Sequence, residues 1–103
     1  MIVADFAVVP MGVGASASNY VEAAYQVLRE AGVRFVPGPM STAVEAESFA
    51  EIFAIIEEVN EKLSEMGVPR IITTVRIDFR QDKEISILSK MSHFKEHNLP
   101  ADG

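Results

Sequence analysis

The sequence predicts an α+β domain in which two helices cover one face of a four-stranded antiparallel sheet. Three observations support this fold class. The order strand–helix–strand occurs twice, the two copies meet at a turn-forming Pro-Gly-Pro at residues 37–39, and each helix carries apolar residues at helical spacing. The length of 103 residues suits one domain, and we expect residues 1–103 to form it without a linker.

The first copy begins with a predicted strand at residues 2–9, in which apolar residues alternate between the two faces. A helix should follow it. Asn19, with Glu22 three residues later, matches a capping box, and Gly32 suits the left-handed end of that helix. A short strand at residues 33–36 then leads into the Pro-Gly-Pro turn. The predicted inward-facing positions of the helix are Val21, Ala24, Tyr25 and Leu28.

The second copy begins with a predicted strand at residues 40–47. Ser48 and Glu51 match a capping box at the start of the next helix. The strand predicted at residues 70–79 is rich in β-branched residues, and residues 86–98 have the apolar spacing of a short C-terminal helix. The predicted inward-facing positions of the second helix are Phe49, Ile52, Phe53, Ile56, Val59 and Leu63. This order of elements predicts a ferredoxin-like βαββαβ sandwich with a short C-terminal helix.

The sheet face opposite the two long helices should mix apolar and charged residues. Asp5 of the first strand and both Glu45 and Glu47 of the third fall on this face. An oligomer that pairs two such faces would bury their apolar residues, whereas a monomer would carry solvated cross-strand ion pairs such as Glu45 with Arg76. The sequence leaves both interpretations open. The last strand contributes the candidate interface residues Ile72, Thr74, Arg76 and Asp78.

The composition argues against several classes of partner. The formal net charge is −6, and residues 1–69 carry ten acidic residues against three basic ones, so a nucleic-acid backbone would be repelled. The same charge would attract a cationic small molecule, although acidic residues also keep a surface soluble. The chain has no cysteine, which excludes a disulfide. We expect a cytoplasmic protein, because no apolar run suits a membrane span or a signal peptide.

The glycine-rich stretch after the first strand is a poor match to a nucleotide-binding loop. Gly12 and Gly14 fit the first two glycines of the dinucleotide motif, but Ala17 stands at the third and no lysine follows. A turn that precedes a helix explains the stretch better. His93 and His97 have a metal-binding spacing, but a solvated helix face is the simpler interpretation. We therefore predict no metal site, no catalytic residues and no enzyme.

Three segments carry a family resemblance: PMGVGASASNYV, GPMSTAVEAE and VRIDFRQDK. Together they resemble the small thiamine-binding protein family of ferredoxin-like fold, over residues 2–84. Ala46 replaces the glycine usual in the second motif, and Phe79 replaces a residue that is more often polar in the third. The matching positions are Pro10, Gly12, Gly14, Ser16, Ser18, Tyr20 and Val21 in the first motif, Gly38, Pro39, Thr42, Glu45 and Glu47 in the second, and Arg76, Ile77, Asp78, Arg80, Asp82 and Lys83 in the third.

The resemblance implies non-catalytic binding of thiamine or its hydroxymethylpyrimidine moiety, without a cofactor, by a homodimer or homotetramer with paired sheets. On this hypothesis, acidic residues favour the positively charged thiazolium ring of the ligand. The expected ligand contacts are Asp5, Thr42, Glu45 and Glu47, with Gly12, Gly14, Ser16 and Ser18 at the rim. The alternative is an oligomeric regulatory or structural module that binds another metabolite or only itself.

Overall fold

The structure is a computed structural model that describes residues 1–14 and 18–96. The strands are β1 (Ile2–Met11), β2 (Phe35–Pro37), β3 (Thr42–Ala46) and β4 (Arg70–Asp78), and the helices are α1 (Ser18–Ala31), α2 (Phe49–Glu65) and α3 (Ile87–Glu96). The strands form one antiparallel sheet in the order β2-β3-β1-β4. This confirms the predicted ferredoxin-like α+β fold. Among the described helices, none has the length and hydropathy that a membrane span requires.

The main core lies between the sheet and the helices α1 and α2. Its fully buried side chains include Leu28 of α1, Val59 of α2 and Val44 of β3. Alternate residues of β1 and β3 face these helices, as the period of two predicts. Hydrophobic burial of this kind contributes roughly 25 cal/mol per Å² of apolar surface removed from water.

The buried arc of each long helix is rotated slightly from the predicted one. Val27 and Ile55 are buried, although neither is among the predicted inward-facing positions. Val21, Phe49 and Phe53 are predicted to face inward, and all three are exposed. Apolar residues therefore extend past the buried arc on both helices, and spacing alone does not show which edge of a wide apolar stripe meets the sheet.

The helix ends agree with the sequence in two of three cases. The Ser48 cap is confirmed, since its Oγ accepts the N–H of Glu51 at 3.1 Å. Gly32 has a φ of 73°, the left-handed conformation expected after a helix. The prediction of Asn19 as an N-cap is wrong, because α1 begins at Ser18 and so includes Asn19 in its first turn. Glu22 binds Arg29 within the same helix.

The strands β1 and β3 have different lengths, which creates an opening at one edge of β1. The last pair between them joins Phe6 to Thr42, because β3 begins two residues later than predicted. A tight turn precedes β3, in which the N–H of Gly38 binds the carbonyl of Ser41 at 2.8 Å. β1 continues to Met11 and stays paired with β4 along this stretch. Within the part of the chain that the structure describes, residues 7–11 of β1 therefore have a strand neighbour on one side only.

The helix α3 covers part of the sheet face opposite α1 and α2. Ile85 and Ile87 pack against Val3 and Ala43 in a second, smaller hydrophobic cluster. Only water or a second copy was expected against this face, and part of it is instead covered by the same chain. The helix was predicted over residues 86–98, and its described part ends at Glu96, with residues 97 and 98 outside the described residues.

Candidate ligand-binding site

A cleft of about 220 Å³ lies where β3 stops and β1 continues, and we call it the strand-end cleft. The helix α1 forms one wall with Tyr20, Ala24 and Tyr25. The turn before β3 forms the other wall. Its residues in the lining are Gly38, Pro39, Met40 and Ser41, followed by Thr42 at the start of β3. The cleft is therefore built from the β2–β3 turn, the first half of α1 and the free edge of β1.

The floor of the strand-end cleft includes the main chain of β1. Val8 points toward the helices and lines the cleft, as does Pro10. Ala7 and Val9 also line it, although the alternation of a strand directs their side chains to the opposite face. The cleft consequently reaches the backbone atoms of this edge. Aromatic rings add an apolar surface, and Tyr25 stacks on Phe35 with ring centres 5.8 Å apart.

Two of the three family motifs meet at the strand-end cleft. The first motif contributes Pro10, Tyr20 and Val21, and the second contributes Gly38, Pro39 and Thr42. These segments are distant in sequence, and the fold places them on opposite walls of one cavity. Such convergence of residues from separate elements on an apolar concavity is typical of a small-molecule site.

A second cleft, of about 360 Å³, lies on the other face of the sheet beside α3, and we call it the face cleft. Its charged lining residues are joined in two ion pairs. Arg76 donates two hydrogen bonds to Asp5, at 3.0 and 2.5 Å, and Lys90 of α3 binds Asp78. The charged groups here bind one another and hold β4 to β1 and to α3.

The third family motif therefore supplies structural ion pairs. Besides Arg76 and Asp78, it contributes Arg80, which binds Asp82 and lowers the pKa of that carboxyl group to about 2. The pair of Lys90 with Asp78 joins the end of β4 to α3, whereas the pair of Arg80 with Asp82 is a local, exposed contact after β4. None of these four motif residues lines the strand-end cleft.

Asp5 lies in the face cleft and already has its partners. The hydrogen bond from Arg76 lowers the pKa of Asp5, and a further hydrogen bond from the Ser41 hydroxyl, at 3.0 Å, acts in the same direction. The alternative pair of Glu45 with Arg76 is not formed, because β1 lies between β3 and β4. Asp5 is thus directly opposite Arg76 in the register.

Glu45 has a structural partner instead. It is 8% exposed, and its Oε1 accepts the N–H of Ile87 at 2.6 Å. A carboxylate at this position satisfies a free N–H at the start of α3 and interacts favourably with the helix dipole. Glu45 therefore anchors α3 to the sheet.

The structure does not bring the four predicted ligand contacts together. Thr42 lines the strand-end cleft, while Asp5 and Glu45 lie on the opposite face of the sheet. Glu47 is exposed and follows the far end of β3, roughly 17 Å along the strand from Thr42 at about 3.4 Å per residue. Of these four, Thr42 is the one placed at the cleft where the motifs meet.

The predicted rim residues have different surroundings. Gly12 has a φ of 78°, and a Cβ there would lie 2.8 Å from Cγ of Pro69, so glycine is required by both conformation and space. A Cβ on Gly14 would meet nothing within 4 Å. Ser18 begins α1 and is exposed, whereas Ser16 lies outside the described residues.

Sequence reasoning missed the part that Val8, Tyr25 and Met40 play in the cleft. The helical spacing of Tyr25 predicts a core residue, and the position of Val8 predicts an ordinary strand residue. One local signal was Pro10, which directly follows the strand predicted at residues 2–9: β1 continues through it, and a strand tolerates proline where the missing N–H faces no neighbour. That signal marks the free edge of β1.

Comparison with known proteins agrees with the motifs. A family model described as thiamine-binding protein matches residues 4–95. A protein of Methanothermobacter thermautotrophicus is 34% identical over 97 residues, which cover 93% of this chain and 98% of the relative. The Bacillus subtilis protein YqgV is 31% identical and covers 97% of this chain and all of its own.

Solved structures show the same fold. A Methanocaldococcus jannaschii protein superposes with a TM-score of 0.83 at 30% identity, covering 92% of this chain and 96% of that one. A Thermotoga maritima protein, named for an assumed role in thiamine biosynthesis or salvage, superposes with a TM-score of 0.78 at 26% identity. The superposition covers 90% of this chain and 97% of that one. On the family match and these relatives, the chain belongs to the thiamine-binding protein family.

Proposed function

We propose that this protein binds thiamine or its hydroxymethylpyrimidine moiety in the strand-end cleft, without catalysing a reaction. The observation that carries the proposal is the convergence of the first two family motifs on this cleft. Membership of the thiamine-binding family and the likeness to the Thermotoga maritima protein support the ligand class.

The size of the strand-end cleft supports partial enclosure of the ligand. Its volume of about 220 Å³ is below the roughly 300–1,000 Å³ usual for sites that enclose a drug-sized ligand. One substituted pyrimidine ring suits such a cleft, with apolar and aromatic side chains at its faces. The thiazolium ring of thiamine would then extend past Met40, which is 87% exposed at the rim.

The charges of the protein act at a distance in this proposal. Among the described residues that line the strand-end cleft, none is a carboxylate. The expected contacts from Asp5, Glu45 and Glu47 are therefore replaced by a weaker, general attraction between the cationic ring and a chain of net charge −6. Affinity for thiamine should consequently fall only moderately as salt is raised.

Isothermal titration calorimetry tests this site with a pair of matched variants. Ala24→Leu adds bulk to the helix wall of the cleft, whereas Ala54→Leu adds the same bulk at an exposed position of α2. We expect thiamine to bind the wild type and Ala54→Leu equally and Ala24→Leu at least tenfold more weakly, with thermal unfolding used to show that both variants fold. The absence of binding heat at millimolar thiamine, or equal affinity of both variants, would contradict the proposal.

We further propose that the protein works as an oligomer with paired sheets. The described residues leave one end of this sheet face uncovered, where Val9 and Ile72 lie opposite each other in the register and are 48% and 42% exposed. Thr74 and Arg76 of the predicted interface are also exposed, while Asp78 is engaged by α3. Burial of this apolar end against a second copy would remove it from water. The experiment is light scattering at micromolar protein, with a dimer or tetramer expected.

A further inference from the structure

We propose that the ligand is held through the main-chain N–H and C=O of Val8, which form a donor–acceptor pair at the free edge of β1. The inference rests on the proposed function, since it concerns the same cleft. It adds the chemical class that the cleft selects: a planar ring that carries an amino group beside a ring nitrogen.

The direction of the main-chain groups follows from one hydrogen bond and the register. The N–H of Glu45 donates to the carbonyl of Arg34 at 3.0 Å, on the β2 side of β3. In an antiparallel sheet, the N–H and C=O of one residue point to the same side, and consecutive residues alternate. The main-chain N–H and C=O of Val44 therefore point to β1, and those of its partner Ala4 point back to β3.

The same alternation fixes the direction at Val8. Counting two residues at a time from Ala4 through Phe6, the main-chain groups of Val8 and Pro10 point to the β3 side. The position of Pro10 is consistent with this direction, because its missing N–H would fall on the edge that has no strand neighbour.

Among the described residues, no strand meets Val8 on that side, because the pairing of β1 with β3 ends at Phe6 and Thr42. The groups of Val8 instead face the edge at which the strand-end cleft lies, and the lining of that cleft includes both neighbours of Val8 in β1, Ala7 and Val9. A buried or half-buried N–H and C=O need partners, and a ligand can supply both.

The chemistry of the pair defines the ligand class. A ring nitrogen accepts from the N–H of Val8, while an adjacent exocyclic amino group donates to the C=O of the same residue. A residue of a neighbouring antiparallel strand would form the same two hydrogen bonds with Val8, and the edge of the ring takes the place of that residue. The tyrosines of α1 and the apolar turn residues contact the faces of the ring. In the same orientation, an analogue with a carbonyl group in place of the amino group presents the opposite pattern and leaves the C=O of Val8 facing another acceptor.

A series of three ligands tests the inference by calorimetry: thiamine, hydroxymethylpyrimidine and oxythiamine, in which a ring carbonyl replaces the amino group. We expect oxythiamine to bind at least about tenfold more weakly than thiamine, since a mismatched buried polar group costs about 1–3 kcal/mol. Equal affinity for thiamine and oxythiamine would overturn the inference and leave the proposed function intact. Failure of thiamine and hydroxymethylpyrimidine to bind would overturn both.

A pair of variants tests the role of Val8 itself. Val8→Pro removes the N–H on the side where β1 already tolerates Pro10, and Val8→Ala shortens the side chain while it keeps the N–H. We expect Val8→Pro to bind thiamine at least about tenfold more weakly than Val8→Ala. Equal binding by the two folded variants would overturn the inference. If Val8→Pro does not fold in a thermal unfolding experiment, the comparison of thiamine with oxythiamine decides.

Discussion

The anchoring of α3 by Glu45 gives the sharpest stability prediction. The Glu45 carboxylate is 8% exposed and accepts the N–H of Ile87 at 2.6 Å. A hydrogen bond to a charged group contributes about 1.5–3 kcal/mol, and the favourable interaction of a carboxylate with a helix N-terminus is part of that stabilisation. We expect Glu45→Ala to destabilise the docked position of α3 by about 2–3 kcal/mol. Glu45→Gln, which keeps an acceptor but loses the charge, should cost about 1 kcal/mol.

The measurement must resolve α3 from the rest of the chain. Among the side chains that the structure describes, chiefly Ile85 and Ile87 hold α3 to the sheet, against Val3 and Ala43, so we expect α3 to undock while the main core stays folded. Amide hydrogen exchange at residues 87–92 reports this local opening. A loss of about 2 kcal/mol corresponds to roughly a 30-fold faster exchange.

Glu47→Ala is the matched control, because Glu47 lies two residues away and is exposed. We expect its effect on exchange to stay within about 0.5 kcal/mol. Equal effects of Glu45→Ala and Glu47→Ala on the exchange of α3 would refute the anchoring role of Glu45. The experiment also matters for ligand binding, since reduced thiamine affinity in Glu45→Gln would not by itself show that the carboxylate touches a ligand.

Three further predictions concern the turn, the ion pair and the free sheet face. Gly12→Ala should lower the free energy of unfolding by about 1–2 kcal/mol, because of its positive φ, whereas Gly14→Ala should have little effect; denaturant unfolding compares them. Asp5 has a lowered pKa in the fold, so its pairing with Arg76 stabilises the protein above the ordinary value of 3.8 and is lost as pH falls below it. In Asp5→Asn, the free energy of unfolding should therefore fall less steeply than in the wild type as the pH is lowered below 3.8. An unchanged dependence on pH would contradict this. Ile72→Lys should shift the oligomer toward monomer in light scattering, and a wild type that is already monomeric would contradict the paired-sheet proposal.

Local patterns in the sequence were sufficient to predict the sheet, the two long helices and their order. Alternation in β1 and β3 identified the buried side correctly, and the Ser48 cap followed from its spacing to Glu51. The apolar stripes of α1 and α2 predicted the buried side chains less well, because both stripes extend beyond the residues that meet the sheet.

The site depended on contacts between distant segments, which periodicity does not encode. The late start of β3 opens the edge of β1, and that start is set by the turn that joins Gly38 to Ser41. The partner of Arg76 is Asp5 because β1 lies between β3 and β4. The docking of α3 engages Glu45, which sequence reasoning had treated as available to a ligand.

Mapping of thiamine by amide chemical shifts tests the central claim most directly. In a titration followed by heteronuclear NMR, we expect the largest shifts at the strand-end cleft, at Val8, Gly38 and Thr42. Residues of the face cleft, such as Ala43 and Asp78, should change little. Shifts concentrated at the face cleft, or none at millimolar thiamine, would contradict the account.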